Sequence, residues 1–232
     1  MNSWITCGLL IIASYLVGSI PLSFLVARSR GVDLRKHGTQ QVGGGNLWRT
    51  TSRKLGLFVG IFDFVKGALM VAIGWWLGLD AGQQLLIGLG AIVGHNWPIF
   101  LHFHGGRGVA TALGIIIVMP LINWGDITIW PTVSFFVIAI GIVIFTHRTP
   151  VPILFGFTAI PIVSAAVKEP LPVILGYAGL IMVIIIKRLI AQPSAEKRQI
   201  GMWGLLLNRL LFDRDVRNRA DWVHRKHVDK KE

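Results

Sequence analysis

The sequence predicts an all-α, polytopic integral membrane protein with about seven transmembrane helices and a basic cytoplasmic tail. Three observations carry that prediction. Of the 232 residues, 53% are hydrophobic, and the mean hydropathy is +0.63, which is more apolar surface than a soluble fold of this length hides. Several apolar runs approach the roughly 20 residues that cross a bilayer as a helix. Helices suit such runs because they satisfy their own backbone polar groups in lipid. Finally, the Lys and Arg residues sit between and after the runs. The ~10-residue alternating segments of a β-barrel are not seen.

Seven apolar segments lie near 4–27, 57–79, 85–101, 109–122, 130–146, 151–167 and 172–190. The first begins "MNSWITCGLL". It lacks the basic start and small-residue cleavage site of a removed leader, so it reads as a retained helix. Cys7, the single cysteine, forms no internal disulfide. A polar stretch, 28–56, separates the first two segments. Some later segments fall short of a full span, which tilted or re-entrant helices accommodate. No repeat of fixed period is present. The chain divides into a membrane unit, 1–190, and a basic tail, 191–232.

The net charge of +12 would suggest nucleic acid in a soluble protein. Here the pattern points to topology, with no nucleic-acid partner. Stretches 28–56, 102–108, 147–150 and 187–232 hold 21 of the 23 Lys and Arg residues. These stretches share one face if the amino terminus is outside and the carboxyl terminus cytoplasmic. Within the tail, "GMWGLLLNRLLFDRDVRNR" (201–219) reads as an interfacial amphipathic helix or as a helix packed on the loops. In the interfacial reading Trp203, Leu206, Leu207, Leu210 and Leu211 share an apolar face, while Arg209, Arg214 and Arg217 meet anionic head groups.

Two stretches on the basic face carry glycine clusters: "HGTQQVGGGNLWR" (37–49) and "HGGRG" (104–108). Glycines let backbone N–H groups converge on an anion, and a following helix amino end adds partial positive charge. Arg49 and Arg107 supply guanidinium groups that match phosphate oxygens. The competing reading is close helix packing together with topological arginines. "DFVKG" places Asp63 and Lys66 three residues apart inside the second segment, as a self-neutralising structural pair or as part of a site. His102 and His104 have metal-like spacing, but no cysteine or carboxylate cluster completes a ligand set, so no metal is expected. His95 and Asn96 are expected to brace the loop by hydrogen bonds.

Five stretches now show a resemblance: "GSIPLSFLVAR" (18–28), "GVDLRKHG" (31–38), "GGGNLWRT" (43–50), "DFVKG" (63–67) and "GHNWPIFLHFHGGRGVAT" (94–111). In this order they resemble the bacterial acyl-phosphate:glycerol-3-phosphate acyltransferases, small seven-helix membrane enzymes of phospholipid synthesis. The resemblance implies transfer of a fatty acyl group from an acyl phosphate to the 1-hydroxyl of sn-glycerol 3-phosphate at a bacterial-type inner membrane. The products are lysophosphatidic acid and phosphate. No cofactor is implied, and the partners are the two substrates and membrane lipids. Arg49, Arg107 and Thr39 become the catalytic candidates. Gly38, Gly43, Gly44, Gly45, Asn46, Gly105, Gly106 and Gly108 become phosphate-binding candidates, with Asp63, Lys66, His95 and Asn96 in support.

The chain departs from the family pattern in places. Thr39, Gln40 and Gln41 follow Gly38 where the family has Ser-Gly-Asn, and Arg107 replaces a lysine. Spacing puts Val151, Met182 and Ile185 where the family has a serine, a histidine and an asparagine. Two other functions fit the sequence: a non-catalytic or retuned family member that binds a phospholipid or anionic metabolite, and a small transporter. The transporter would show broken helices near the midplane and repeat symmetry.

Overall fold

A computed structural model describes residues 2–146, 150–190 and 201–215. The described residues form helices and loops, with no strand among them. The elements are α1 (Ser3–Gly18), α2 (Leu22–Arg28), α3 (Gly44–Thr50), α4 (Arg53–Trp76) and α5 (Ala81–Asn96). A 3-10 turn (Ile99–Leu101) leads to α6 (Val109–Ile122), α7 (Trp130–Thr146), α8 (Pro150–Ala166), α9 (Leu171–Leu189) and α10 (Met202–Phe212). All seven expected apolar segments are helical. Four stretches are long and apolar enough to cross a membrane: Ser3–Arg28, Arg53–Trp76, Ala81–Leu101 and Leu171–Leu189.

The first expected segment is not one helix. It breaks between Gly18 and Leu22, because Pro21 has no N–H to continue the ladder. The Gly18 carbonyl is then left for another donor, while the Ile20 carbonyl accepts from Leu22 N–H (3.1 Å) and has room for a second. Lys66 of α4 supplies it: its Nζ donates to Gly18 O (3.0 Å) and Ile20 O (3.2 Å) and pairs with Asp63 (2.9 Å). Lys66 is 3% exposed. A buried ammonium with three such partners is a satisfied charge within lipid.

α5 is the hub, packing against α1, α4, α6 and α9. Its start is written in the sequence: Asp80 and Gln83 form a capping box, each side chain meeting the other's backbone N–H. α4 and α6 approach closely because Gly67 and Gly114 present bare backbone to each other's helix; a Cβ at either would collide with the carbonyl of Thr111 or Phe64. α7 pairs with α8, which continues to α9. Val71, Leu85, Ile92, Ile115, Phe157 and Tyr177 belong to one apolar core joining α4, α5, α6, α8 and α9.

α10 covers the ends of α8 and α9. Leu205 is buried, and Leu210 and Leu211 pack on the main core, whereas Trp203 is 79% exposed. The cationic part of the interfacial expectation is corrected. Arg209 and Arg214 are buried instead of reaching outward. Arg209 pairs with Asp215 (2.6 Å) and donates to Leu189 O (2.8 Å), which holds the tail to α9. Arg217, with the tail stretches 191–200 and 216–232, lies outside the described residues.

Candidate active site

The loop after α2 is organised by one amide. Asn46, buried near the start of α3, accepts from Thr39 N–H (3.0 Å) through Oδ1. Its Nδ2 donates to the carbonyls of Leu34 (3.2 Å), His37 (3.0 Å) and Gln41 (3.0 Å). A single neutral side chain therefore folds eight residues of backbone. Gly38 takes φ +61°, and a Cβ there would strike the Asn46 amide. Gln40, which stands where the family has glycine, keeps glycine's left-handed backbone with φ 57°. The turn is pinned upstream by Asp33, which pairs with Arg35 (2.8 Å). The hydrogen-bonded Arg35 guanidinium holds the Asp33 carboxyl down to about 2, against the opposing effect of burial.

The second glycine stretch meets this loop at the α5 terminus. Gly106 N–H donates to His95 O (3.1 Å), and the His95 ring lies so close to Gly106 that any side chain there would displace it. His95 Nδ1 is 3.4 Å from Asp63 Oδ1. Asp63 thus faces both Lys66 and His95. Gly108 opens α6 with φ +71°. The Asn96 side-chain amide has no hydrogen-bond partner among the described residues, so it does not brace the loop in the expected manner. Its backbone carbonyl instead accepts from Lys187.

These pieces surround a cavity of about 460 Å³. One wall is Gly43, Gly44, Gly45, Asn46 and Arg49, with Gln41. The floor holds Asp63 and His95, and the facing side Gly106, Arg107 and Gly108. The remaining polar lining comes from Arg188 and Asp213, and Trp48, Leu57, Leu113 and Ile153 make an apolar flank. Arg107 is held on several sides. Its Nη1 donates to Lys187 O (2.6 Å), and its Nε lies 2.9 Å from Asp213 Oδ1. With the Gln41 amide oxygen turned inward, that oxygen accepts from Arg107 Nε (3.2 Å) and Nη2 (2.8 Å).

The expected convergence is therefore partial. Arg49, Arg107, Gly43, Gly44, Gly45, Asn46, Gly106, Gly108, Asp63 and His95 share the cavity. Thr39, Gly38, Gly105, Lys66 and Asn96 do not line it. Thr39 is buried with its N–H held by Asn46. Lys66 works behind the wall as the strut for the α1–α2 break. Gly105 borders a small crevice against Gly18, Ser19 and Ile20. His102 and His104 are exposed. Val151, Met182 and Ile185 are absent from the lining, and Met182 is 59% exposed on the outer surface. Sequence reasoning missed Arg188, Lys187 and Asp213. In the sequence, Lys187 and Arg188 fall in the basic stretch 187–232 and Asp213 in the amphipathic run 201–219, with no local motif to single them out.

A helical membrane bundle with three arginines, bare glycine backbone and an apolar flank around one cavity defines a class: a membrane protein built to hold an anionic, lipid-like ligand. The glycerol-3-phosphate acyltransferase family model matches residues 8–193. A glycerol-3-phosphate acyltransferase of Dehalococcoides mccartyi is 38% identical over 97% of this chain and 96% of its own length. Another from Desulforudis audaxviator is 44% identical, over 46% of this chain and 54% of its own. The crystal structure of PlsY, an integral membrane glycerol 3-phosphate acyltransferase in its glycerol 3-phosphate form, aligns with TM-score 0.70 and 28% identity over 79% of this chain and 88% of that one. The chain belongs to the glycerol-3-phosphate acyltransferase family.

Proposed function

We infer that this protein transfers a fatty acyl group from an acyl phosphate to the 1-hydroxyl of sn-glycerol 3-phosphate. The observation that carries the reading is the joint lining of one cavity by Arg49, Arg107, Arg188 and two glycine stretches beside an apolar flank. Both substrates bear phosphate, and one also bears an acyl chain. Relatives and a solved structure of the same family are named for glycerol 3-phosphate, and a second form of that structure for lysophosphatidic acid.

The reaction needs little covalent help. An acyl phosphate is already activated, so the acceptor oxygen attacks the carbonyl directly. The new C–O ester bond forms, the C–O bond to phosphate breaks, and inorganic phosphate leaves with the bonding electrons. The acceptor proton passes to a phosphate oxygen. The protein's task is to hold two anions side by side and to stabilise charge developing on the carbonyl and the departing phosphate. Arg107, with Gly106 and Gly108, is assigned to one phosphate. Arg49, with Gly43, Gly44 and Gly45, is assigned to the other. Asp63 and His95 position the Gly106 turn, and Asn46 shapes the first loop. Leu57, Leu113 and Ile153 suit the start of the acyl chain.

The cavity is assigned to the cytoplasmic face of a bacterial-type inner membrane, with the amino terminus outside and the carboxyl terminus inside. The distribution of Lys and Arg supports this orientation. The test is direct. Purified, folded protein is given a long-chain acyl phosphate with and without glycerol 3-phosphate, and phosphate release is followed. Acceptor-dependent release is expected. Its absence overturns the reading, and binding of either substrate without turnover marks a non-catalytic family member.

A further inference from the structure

The tail contributes a residue to the cavity although the family match ends at residue 193. Asp213 caps α10 in a left-handed conformation (φ 56°, ψ 37°) and lines the cavity. Its Oδ1 lies 2.9 Å from Arg107 Nε, with the two side chains 20% and 13% exposed. That oxygen has no hydrogen-bond partner among the described residues, so it meets the guanidinium by charge alone. The helix carrying it is anchored: Arg188 donates to Leu210 O (2.8 Å) and Arg209 to Leu189 O (2.8 Å), with Arg209 paired to Asp215. The other carboxylate of the described lining, Asp63, is committed to Lys66 and His95.

We propose that Asp213 is an internal counter-anion for Arg107, which an incoming phosphate displaces and which returns to expel the phosphate product. The proposal rests on the reading of Arg107 as an anion ligand. A carboxylate and a phosphate oxygen seek the same guanidinium edge. A carboxylate that occupies that edge in the empty cavity stabilises the empty state and competes with the dianion for the guanidinium. It therefore weakens phosphate binding and hastens phosphate release, which suits an enzyme whose product resembles the head group of its substrate. Residues 202–215 then set how tightly the cavity holds phosphate, a property that the family's matched segment alone does not fix.

The test is a thermal-shift titration of the full-length protein in detergent with inorganic phosphate, which reports affinity through ligand-linked stability. Asp213→Asn and Asp213→Gly both tolerate the left-handed backbone and remove the charge. Each is expected to lower the phosphate concentration for half the shift by about three- to tenfold, the range of a partly screened ion pair. Inhibition of turnover by phosphate tightens by the same factor. Unchanged or weaker phosphate affinity in both variants overturns the proposal, since a residue that merely aligned Arg107 would lose affinity when removed. A protein with no phosphate-dependent shift overturns it as well. A tightened shift with no acylation of glycerol 3-phosphate leaves the counter-anion in place and removes the proposed function.

Discussion

The two sides of the cavity are built by different means. On the amino-terminal side, Asn46 gathers Leu34, His37, Thr39 and Gln41 within a dozen residues of itself, using neutral hydrogen bonds to backbone. On the carboxyl-terminal side, Arg107 reaches helices far along the chain, donating to the Lys187 carbonyl and pairing with the Asp213 carboxylate. The first side is a local fold that presents bare backbone. The second is an assembly that presents guanidinium and carboxylate. A site made this way can keep its cradle constant while changing the electrostatics opposite it, because the two share few supports.

Four substitutions test that division, the largest effect first. Arg107→Ala removes the cation bridging the two sides. We expect kcat/KM to fall by about 10² or more, with a smaller loss of thermal stability; a fall of less than threefold would place the chemistry elsewhere. Asn46→Ala strands one buried N–H and three carbonyls. A loss of about 2–4 kcal/mol in unfolding free energy is expected, measured by reversible denaturation in detergent, and a neutral result breaks the claim that the loop hangs on this amide.

Gln40→Gly relieves a left-handed backbone at a non-glycine residue. It should stabilise the protein by about 1 kcal/mol, with activity kept. Destabilisation would show that the Gln40 side chain, not its backbone, is what the loop needs. The smallest effect concerns Asp33. Its carboxyl is held down to about 2 by Arg35, so the native state binds fewer protons than the unfolded state between that value and the ordinary one of about 4. The pair's contribution is full above about pH 4 and is lost as pH falls toward 2. Asp33→Asn should lower the melting temperature slightly at pH 6, in keeping with a pair worth up to about 1 kcal/mol. The difference should close near the bottom of that window; a difference that grows there contradicts the assignment.

Much of this was readable in the sequence, for physical reasons. Segment hydropathy announces each lipid-facing helix, so all seven segments came out as helices. That the glycines beside Arg49 and Arg107 line one cavity could be read because bare backbone next to a guanidinium is a local pattern. Thr39 falls outside the cavity lining because its backbone is turned by the amide of Asn46 seven residues on, a side-chain contact that no local pattern announces. The α1–α2 break was missed although Pro21 was in view, since hydropathy averages across a proline. Arg188 and Asp213 had no local signature at all. Their place in the cavity follows from how α9 and α10 pack, which no window of sequence records. Met182 and Ile185, set by spacing alone, stay outside the cavity lining, because spacing along a helix does not record which face is turned inward.

Lys66 has a consequence for how this protein is made. Its ammonium finds its acceptors in α4 itself and at two carbonyls beside the break in the preceding span. The first span, entering the bilayer alone, leaves the Gly18 carbonyl without its lysine donor at the break. The second, entering alone, brings a lysine into hydrocarbon. Each becomes a finished membrane segment only in the company of the other. The pair should therefore leave the insertion machinery as a hairpin, with the long polar stretch between them emerging already tethered at both ends. The cradle that this stretch forms around Asn46 would then be under construction before α5 has been synthesised.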